Sequence, residues 1–135
     1  MTVITYDGKS IAADRQWVSG DEIMGYRSKL TKYSGGYWTS CGRISDAELF
    51  RQWLEGEIEG FKPRRDFGSL YTKDGKVYEI DHSMVPVEAF VPSSLGDGRR
   101  VALGAMLDGY TAKEAAQLAC KVNVWCGGKV DVVDV

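Results

Sequence analysis

Few residues of this chain could do chemistry by themselves, and most of the obvious groupings fail on spacing. The three cysteines, Cys41, Cys120 and Cys126, include no C-x-x-C pair, and His82 is the sole histidine. The Cys and His sets that hold zinc cannot be assembled from them. No metal is expected; the thiols read as reduced packing residues and His82 as a surface or strand-end residue. Gly8-Lys9-Ser10 resembles the end of a phosphate loop, but the opening glycine of that motif would fall at Val3. Gly96-Asp97-Gly98 opens a helical stretch without a third glycine and outside a βαβ frame, so no dinucleotide cofactor is implied. A tight helix entry accounts for those glycines.

The elements that must carry any site belong to one domain spanning residues 1–135. Its 17 Lys+Arg against 19 Asp+Glu give a net charge of −2, with 44% apolar and 11% aromatic residues. That composition supports a packed core rather than disorder. With no basic block, the electrostatic footprint of nucleic-acid binding is missing, and no apolar run approaches the roughly 20 residues that span a bilayer. The start, Met1-Thr2-Val3-Ile4, carries no secretory pattern, so a cytoplasmic location is expected.

Three pairs of β-prone runs predict hairpins: Val3 to Tyr6 with Ser10 to Ala13 around Asp7-Gly8, Met24 to Tyr33 with Tyr37 to Cys41, and Ser69 to Thr72 with Val77 to Ile80. Ser45-Asp46-Ala47-Glu48 reads as a capping box opening a helix from about Asp46 to Glu59. Arg100 to Leu107 predicts a second helix with Gly109 as its C-cap. Thr111-Ala112-Lys113-Glu114 caps a third, whose stripe of Ala115, Leu118, Ala119 and Val122 must lie on something flat. Val130 to Val135 closes the chain as a strand. Strands, helix, strands, two helices and a strand, without βαβ alternation, predict α+β architecture with helices on a two-sheet antiparallel sandwich.

This order, with several local motifs, resembles the proteasome β-subunit family of N-terminal nucleophile hydrolases, including the bacterial HslV-type proteases. The carrying residues are Thr2 directly after the initiator, Ile11-Ala12-Ala13-Asp14-Arg15, Ser28-Lys29-Leu30, Ser40-Cys41-Gly42 leading to Ser45-Asp46-Ala47, Gly96-Asp97-Gly98 with Val101 to Ala105, and Asn123-Val124-Trp125-Cys126-Gly127-Gly128. The resemblance implies a four-layer αββα sandwich and a threonine-type peptidase or amidohydrolase. A threonine hydroxyl is a poor nucleophile until a base takes its proton, and a free α-amine on the same residue, with a pKa of about 7.7–8.0, is such a base. Removal of Met1 by methionine aminopeptidase would expose it, with no propeptide to cleave.

By the same resemblance, Lys29 eases deprotonation of Thr2, Asp14 pairs with Lys29, and the Gly42 N–H stabilises the oxyanion. Spacing alone would make Asp14 a solvated turn carboxylate and Lys29 a strand-surface lysine. Asp97 stands where the family has serine, and Asn123 where it has aspartate; if the two side chains face each other, the carboxylate and its neutral partner have exchanged places. A carboxylate moved closer to the amine would raise the amine's pKa and weaken it as a base. Trp17, Arg27, Ser40 and Ile44 match the specificity pocket, suited to an acidic or a medium apolar side chain; Trp17 and Ile44 also read as ordinary packing residues.

One helix of the family pattern is missing between Glu59 and Ser69. The resemblance implies a homo-oligomer, as a ring or partial ring, acting on peptide or protein substrates, with an ATPase unfoldase as a further partner. The rival reading is a catalytically inactive module kept for assembly or regulation. A third, a small-ligand domain, rests on the four tryptophans Trp17, Trp38, Trp53 and Trp125.

Overall fold

Alternation of side chains along the first two strands decides the layering of the molecule. The structure, a computed structural model, describes residues 2–135. The chain runs β1 (Val3–Tyr6), β2 (Ser10–Asp14), β3 (Gln16–Ser19), β4 (Glu22–Tyr26), β5 (Thr31–Tyr33), β6 (Gly36–Cys41), α1 (Ile44–Leu54), β7 (Gly68–Lys73), β8 (Lys76–Asp81), β9 (Val87–Glu88), β10 (Ser93–Gly96), α2 (Arg99–Leu107), α3 (Ala112–Val122) and β11 (Val130–Asp134). Val3 and Ala12 pack with Ala102, Ala115 and Ala119 of α2 and α3. Their neighbours Ile4, Ile11 and Ala13 point the other way, onto Leu70 and Val77. That period of two is what a strand buried on both faces requires.

Four layers result. Helices α2 and α3 cover a sheet ordered β10-β1-β2-β11, which packs on a second sheet ordered β5-β6-β7-β8-β9, and α1 covers the far face. All strand pairs are antiparallel. The outer core under α1 is aromatic: Phe50, fully buried, has the rings of Trp38, Trp53, Phe67 and Tyr71 with centroids 5.4–5.8 Å from its own. α1 is the sole helix on this face among the described residues, as the missing helix of the sequence implied.

The structure corrects several expectations. The strand from Met24 to Tyr33 does not exist as one piece. β4 ends at Tyr26 and pairs with β3 in a separate hairpin, and only β5 pairs with β6. The intervening segment leaves the ladder because it carries Lys29 inward, where it is buried. α1 ends at Leu54 rather than Glu59, where the Gly56 N–H turns back onto the Trp53 carbonyl. Its first capping box does not form: the N-cap is Arg43, with no side-chain cap. Asp46 is buried instead and accepts from Arg43 Nη2 and the Arg64 N–H, each at 3.0 Å. Strands β9 and β10 had no clear sequence signal. In the first hairpin the turn closes with the Asp7 N–H on the Ser10 carbonyl, while the Asp7 carboxylate takes the Lys9, Ser10 and Ala112 N–H groups and so seats the start of α3 on β1.

The second capping box is complete, with Thr111 Oγ1 accepting from the Glu114 N–H and the Glu114 carboxylate accepting from the Thr111 N–H. Thr111→Ala should therefore cost about 1 kcal/mol in urea unfolding. Ser45→Ala should stay within about 0.5 kcal/mol of the parent. Equal losses would show that both boxes cap.

Candidate active site

Thr2, Asp14 and Lys29 come from three different places in the chain and meet at one point, all but excluded from solvent. Thr2 precedes β1, Asp14 ends β2, and Lys29 hangs from the segment between β4 and β5. Thr2 Oγ1 donates to Asp14 Oδ1 at 2.5 Å and accepts from Lys29 Nζ at 2.6 Å; Lys29 Nζ also reaches Asp14 Oδ1 at 3.0 Å. A hydroxyl between a cation and a carboxylate has its proton directed and its oxygen lone pair held in one orientation. The Asp14 carboxylate is bound further by the Val3 N–H at 3.1 Å, the Gln16 N–H at 3.2 Å and the Gly127 N–H at 3.0 Å. So many donors satisfy a charge that burial would otherwise make costly.

Burial pulls the Lys29 ammonium below its ordinary range, and the Asp14 carboxylate opposes that pull. The indole of Trp17 adds to this opposition, since Lys29 Nζ lies 5.4 Å from its ring centroid. Arg15, next to Asp14, makes a two-point bond to Asp131 of β11 at 2.7 and 2.8 Å, which ties the end of β2 to the sheet edge and holds the Asp131 carboxyl below its usual value.

A cleft of about 360 Å³ opens on Thr2 and Lys29. Its wall includes Trp17, Ser40, Gly42 and Ile44, together with Arg43, Arg64 and Asp66, which sequence reasoning had not singled out. Arg27 lies elsewhere: it lines a neighbouring depression with Trp17 and Ile44, its guanidinium 4.9 Å from the Trp17 ring centroid. Ile44 is largely exposed, so it serves the cleft mouth and not the core. Gly42 has φ +108°, which strains any side chain, and a Cβ there would stand 3.1 Å from the Phe67 Cα, so it would also crowd the Phe67 backbone. Cys41, also on the cleft wall, has its thiol pushed up to about 11 by burial, which keeps it protonated at neutral pH.

The glycines of Gly96-Asp97-Gly98 serve the site more directly than a tight helix entry requires. A Cβ on Gly96, at φ +88°, would fall 2.2 Å from the Thr2 carbonyl oxygen, and the Gly98 N–H donates to that same carbonyl at 3.3 Å. Asp97 and Asn123 are joined, but not side chain to side chain: Asn123 Nδ2 donates to the Asp97 main-chain carbonyl at 3.0 Å, and its Oδ1 accepts from the Trp125 N–H at 2.8 Å. Gln16 was missed altogether. A lone glutamine in a strand gives no sequence signal, yet it is buried beside the carboxylate.

His82 is exposed just past β8, and all three cysteines are free. Cys120 and Cys126 share a thiol hydrogen bond that raises the second and lowers the first. Among the described residues no His, Cys, Asp and Glu cluster is placed to hold a metal, and no helix is long and apolar enough to cross a membrane.

The four layers form a proteasome-like αββα fold, and solved structures bear this out. Eukaryotic HslV from Trypanosoma brucei superposes with a TM-score of 0.75 at 18% identity, over 98% of this chain and 97% of that one. Thiobacillus denitrificans BPH in complex with epoxomicin gives 0.77 at 17% identity, over 100% and 98%. A second structure of Thiobacillus denitrificans BPH gives 0.74 at 16%, over 99% and 96%. No protein-family model and no characterised sequence matches. The chain thus has the HslV-like fold that its sequence resembled.

The electrostatics can be read by NMR of lysine side-chain nitrogens. The Lys29 ammonium should lose its proton below the ordinary lysine value of 10.5, and Asp14→Asn should move that midpoint lower still, because the opposing carboxylate is gone. A midpoint unmoved by Asp14→Asn would contradict the pairing.

Proposed function

We propose that the chain is a threonine-type N-terminal nucleophile hydrolase of peptide or amide bonds, with Thr2 as nucleophile once Met1 is removed. The observation that carries this reading is the Thr2 hydroxyl bonded at once to Lys29 and Asp14 on the wall of a cleft. Met1 itself lies outside the described residues. With the amine free, the Thr2 hydroxyl turns its proton from Asp14 to the amine nitrogen, which takes it as Oγ1 attacks the scissile carbonyl carbon. The carbonyl π pair moves to oxygen, where the Gly42 N–H is the expected donor; loss of such a donor typically costs about 10²–10³ in rate. Collapse breaks the C–N bond, the departing amine takes the proton back, and water then hydrolyses the acyl ester on Thr2 with the amine again as base.

Lys29 lowers the cost of the developing alkoxide, and Asp14 keeps Lys29 charged and aimed. Trp17, Ser40 and Ile44 line the space for the side chain beside the scissile bond, with Arg27 at its outer margin. The HslV likeness supports a homo-oligomeric, ring or partial-ring assembly for which substrates are peptides or unfolded protein, in the cytoplasm, with an ATPase as its supplier.

A second reading, a catalytically inactive assembly module, is favoured by one observation. Both polar atoms of the Asn123 side chain bond main-chain partners, of Asp97 and Trp125, and among the described residues no hydrogen bond joins it to Thr2. Intact mass decides between the two. The hydrolase reading expects a mass one methionine below the full chain, a gain of one inhibitor on incubation with epoxomicin, and turnover of fluorogenic peptides that Thr2→Ala abolishes. Retained Met1, no adduct and no turnover would leave the module.

A further inference from the structure

The Asp14 carboxylate is gripped from two sides, and the second side is organised by a residue that does not line the cleft. Oδ1 faces the reacting groups, taking Thr2, Lys29 and the Val3 N–H. Oδ2 faces away and, among the described residues, takes main-chain donors, from Gln16 and Gly127. Gly127 belongs to the irregular segment between α3 and β11, which has no ladder of its own to fix the direction of its N–H.

Gln16 ties that segment to the carboxylate. Its Nε2 donates to the Val124 carbonyl at 3.0 Å, and its own N–H is shared between Asp14 Oδ2 and the Gly127 carbonyl, each at 3.2 Å. The Arg15 N–H adds a bond to the same carbonyl at 3.3 Å. The amide oxygen of Gln16 lies so close over Gly127 that a Cβ there would come within 2.5 Å of it. Side chain and glycine therefore fit one another, with Gln16 only 4% exposed. The Gln16 side chain is thus a buried bridge from β3 to the 124–127 segment, and removing its amide breaks that bridge.

We infer that Gln16 is a positioning residue: it clamps the 124–127 segment so that the Gly127 N–H stays on Asp14 Oδ2 and the opposite oxygen stays on Lys29 and Thr2. The inference rests on the threonine-nucleophile reading for its kinetic consequence, but its structural half stands alone. An isosteric side chain without the amide, Gln16→Met, keeps the volume and removes the clamp. Gly127→Ala attacks the same contact from the other side by driving a methyl into Gln16 Oε1.

The test uses the processed full-length protein and has two arms. In the first, amide NMR follows Gly127, whose carboxylate-bound proton should lie well downfield in the parent and move upfield in Gln16→Met, with the spectrum otherwise native. In the second, peptide hydrolysis should fall on the order of 10- to 100-fold in kcat with KM within about twofold, since geometry at the nucleophile is lost and the cleft wall is not. Gly127→Ala should act likewise, and the double variant should be no worse than the poorer single one, because both break one unit. An unmoved Gly127 amide, or a Gln16→Met protein with parental kcat, would overturn the role of Gln16. A parent that neither turns over nor accepts epoxomicin would instead sink the nucleophile reading, and the NMR arm would still decide whether Gln16 clamps Gly127.

Discussion

A carboxylate with no exposed surface sits at the junction of five chain segments, and the way its charge is compensated governs the rest of the molecule. Burying an ion costs several kcal/mol unless partners replace the water it loses. Asp14 meets that cost with the Lys29 ammonium, the Thr2 hydroxyl and three main-chain N–H groups. Each donor demands a feature of the fold. Val3 and Thr2 come from the start of β1, held beside β2 by antiparallel pairing of Ile4 with Ala13. Gln16 requires the chain to continue directly into β3. Lys29 requires the β3–β4 hairpin to end and turn inward, and Gly127 requires α3 to stop short of β11. Remove the charge and these segments lose their reason to converge.

The two cores on either side of the first sheet give that junction a rigid base. Helices α2 and α3 present small residues, Ala102, Ala115 and Ala119, to β1 and β2, so backbones approach closely and the glycine-bearing turn after β10 can lie on the Thr2 main chain. The second sheet supplies the opposite wall. Gly42 leaves β6 with a left-handed φ, and the next turn begins α1, whose buried Asp46 ties down Arg43 and the Arg64 main chain on the cleft wall. A residue that the sequence reads as opening a helix thereby becomes an anchor of the cleft wall.

How much of this could be read in advance follows from the range of each interaction. The first and third hairpins, the alanine-striped α3 and its Thr111 cap were legible because residues within a few positions of one another settle them. The first capping box failed because the helix begins earlier, with Arg43 at the N-cap, which leaves Ser45 inside the first turn and the Glu48 carboxylate bonded to Arg51 and Gln52. The β3–β4 hairpin failed as well, because the pull that ends it is burial of Lys29 beside a carboxylate from another strand. Asp14 and Lys29 look like surface residues by local pattern; resemblance to a family, not spacing, brought them forward. Gln16 lay beyond both routes, since its partners are main-chain atoms more than 100 residues away. Arg27 was placed one depression away from its expected pocket because its guanidinium stacks outward on Trp17.

The account stands on Thr2 being activated by its charged neighbours. The most direct measurement is the rate and position of epoxomicin labelling in the processed protein and in Lys29→Met, mapped by fragmentation of the N-terminal peptide. The account predicts that the adduct lies on Thr2 and that Lys29→Met slows its formation by about 10²-fold or more. Labelling of Thr2 at the parental rate without Lys29, or labelling that falls on Cys41 in the same cleft, would contradict it.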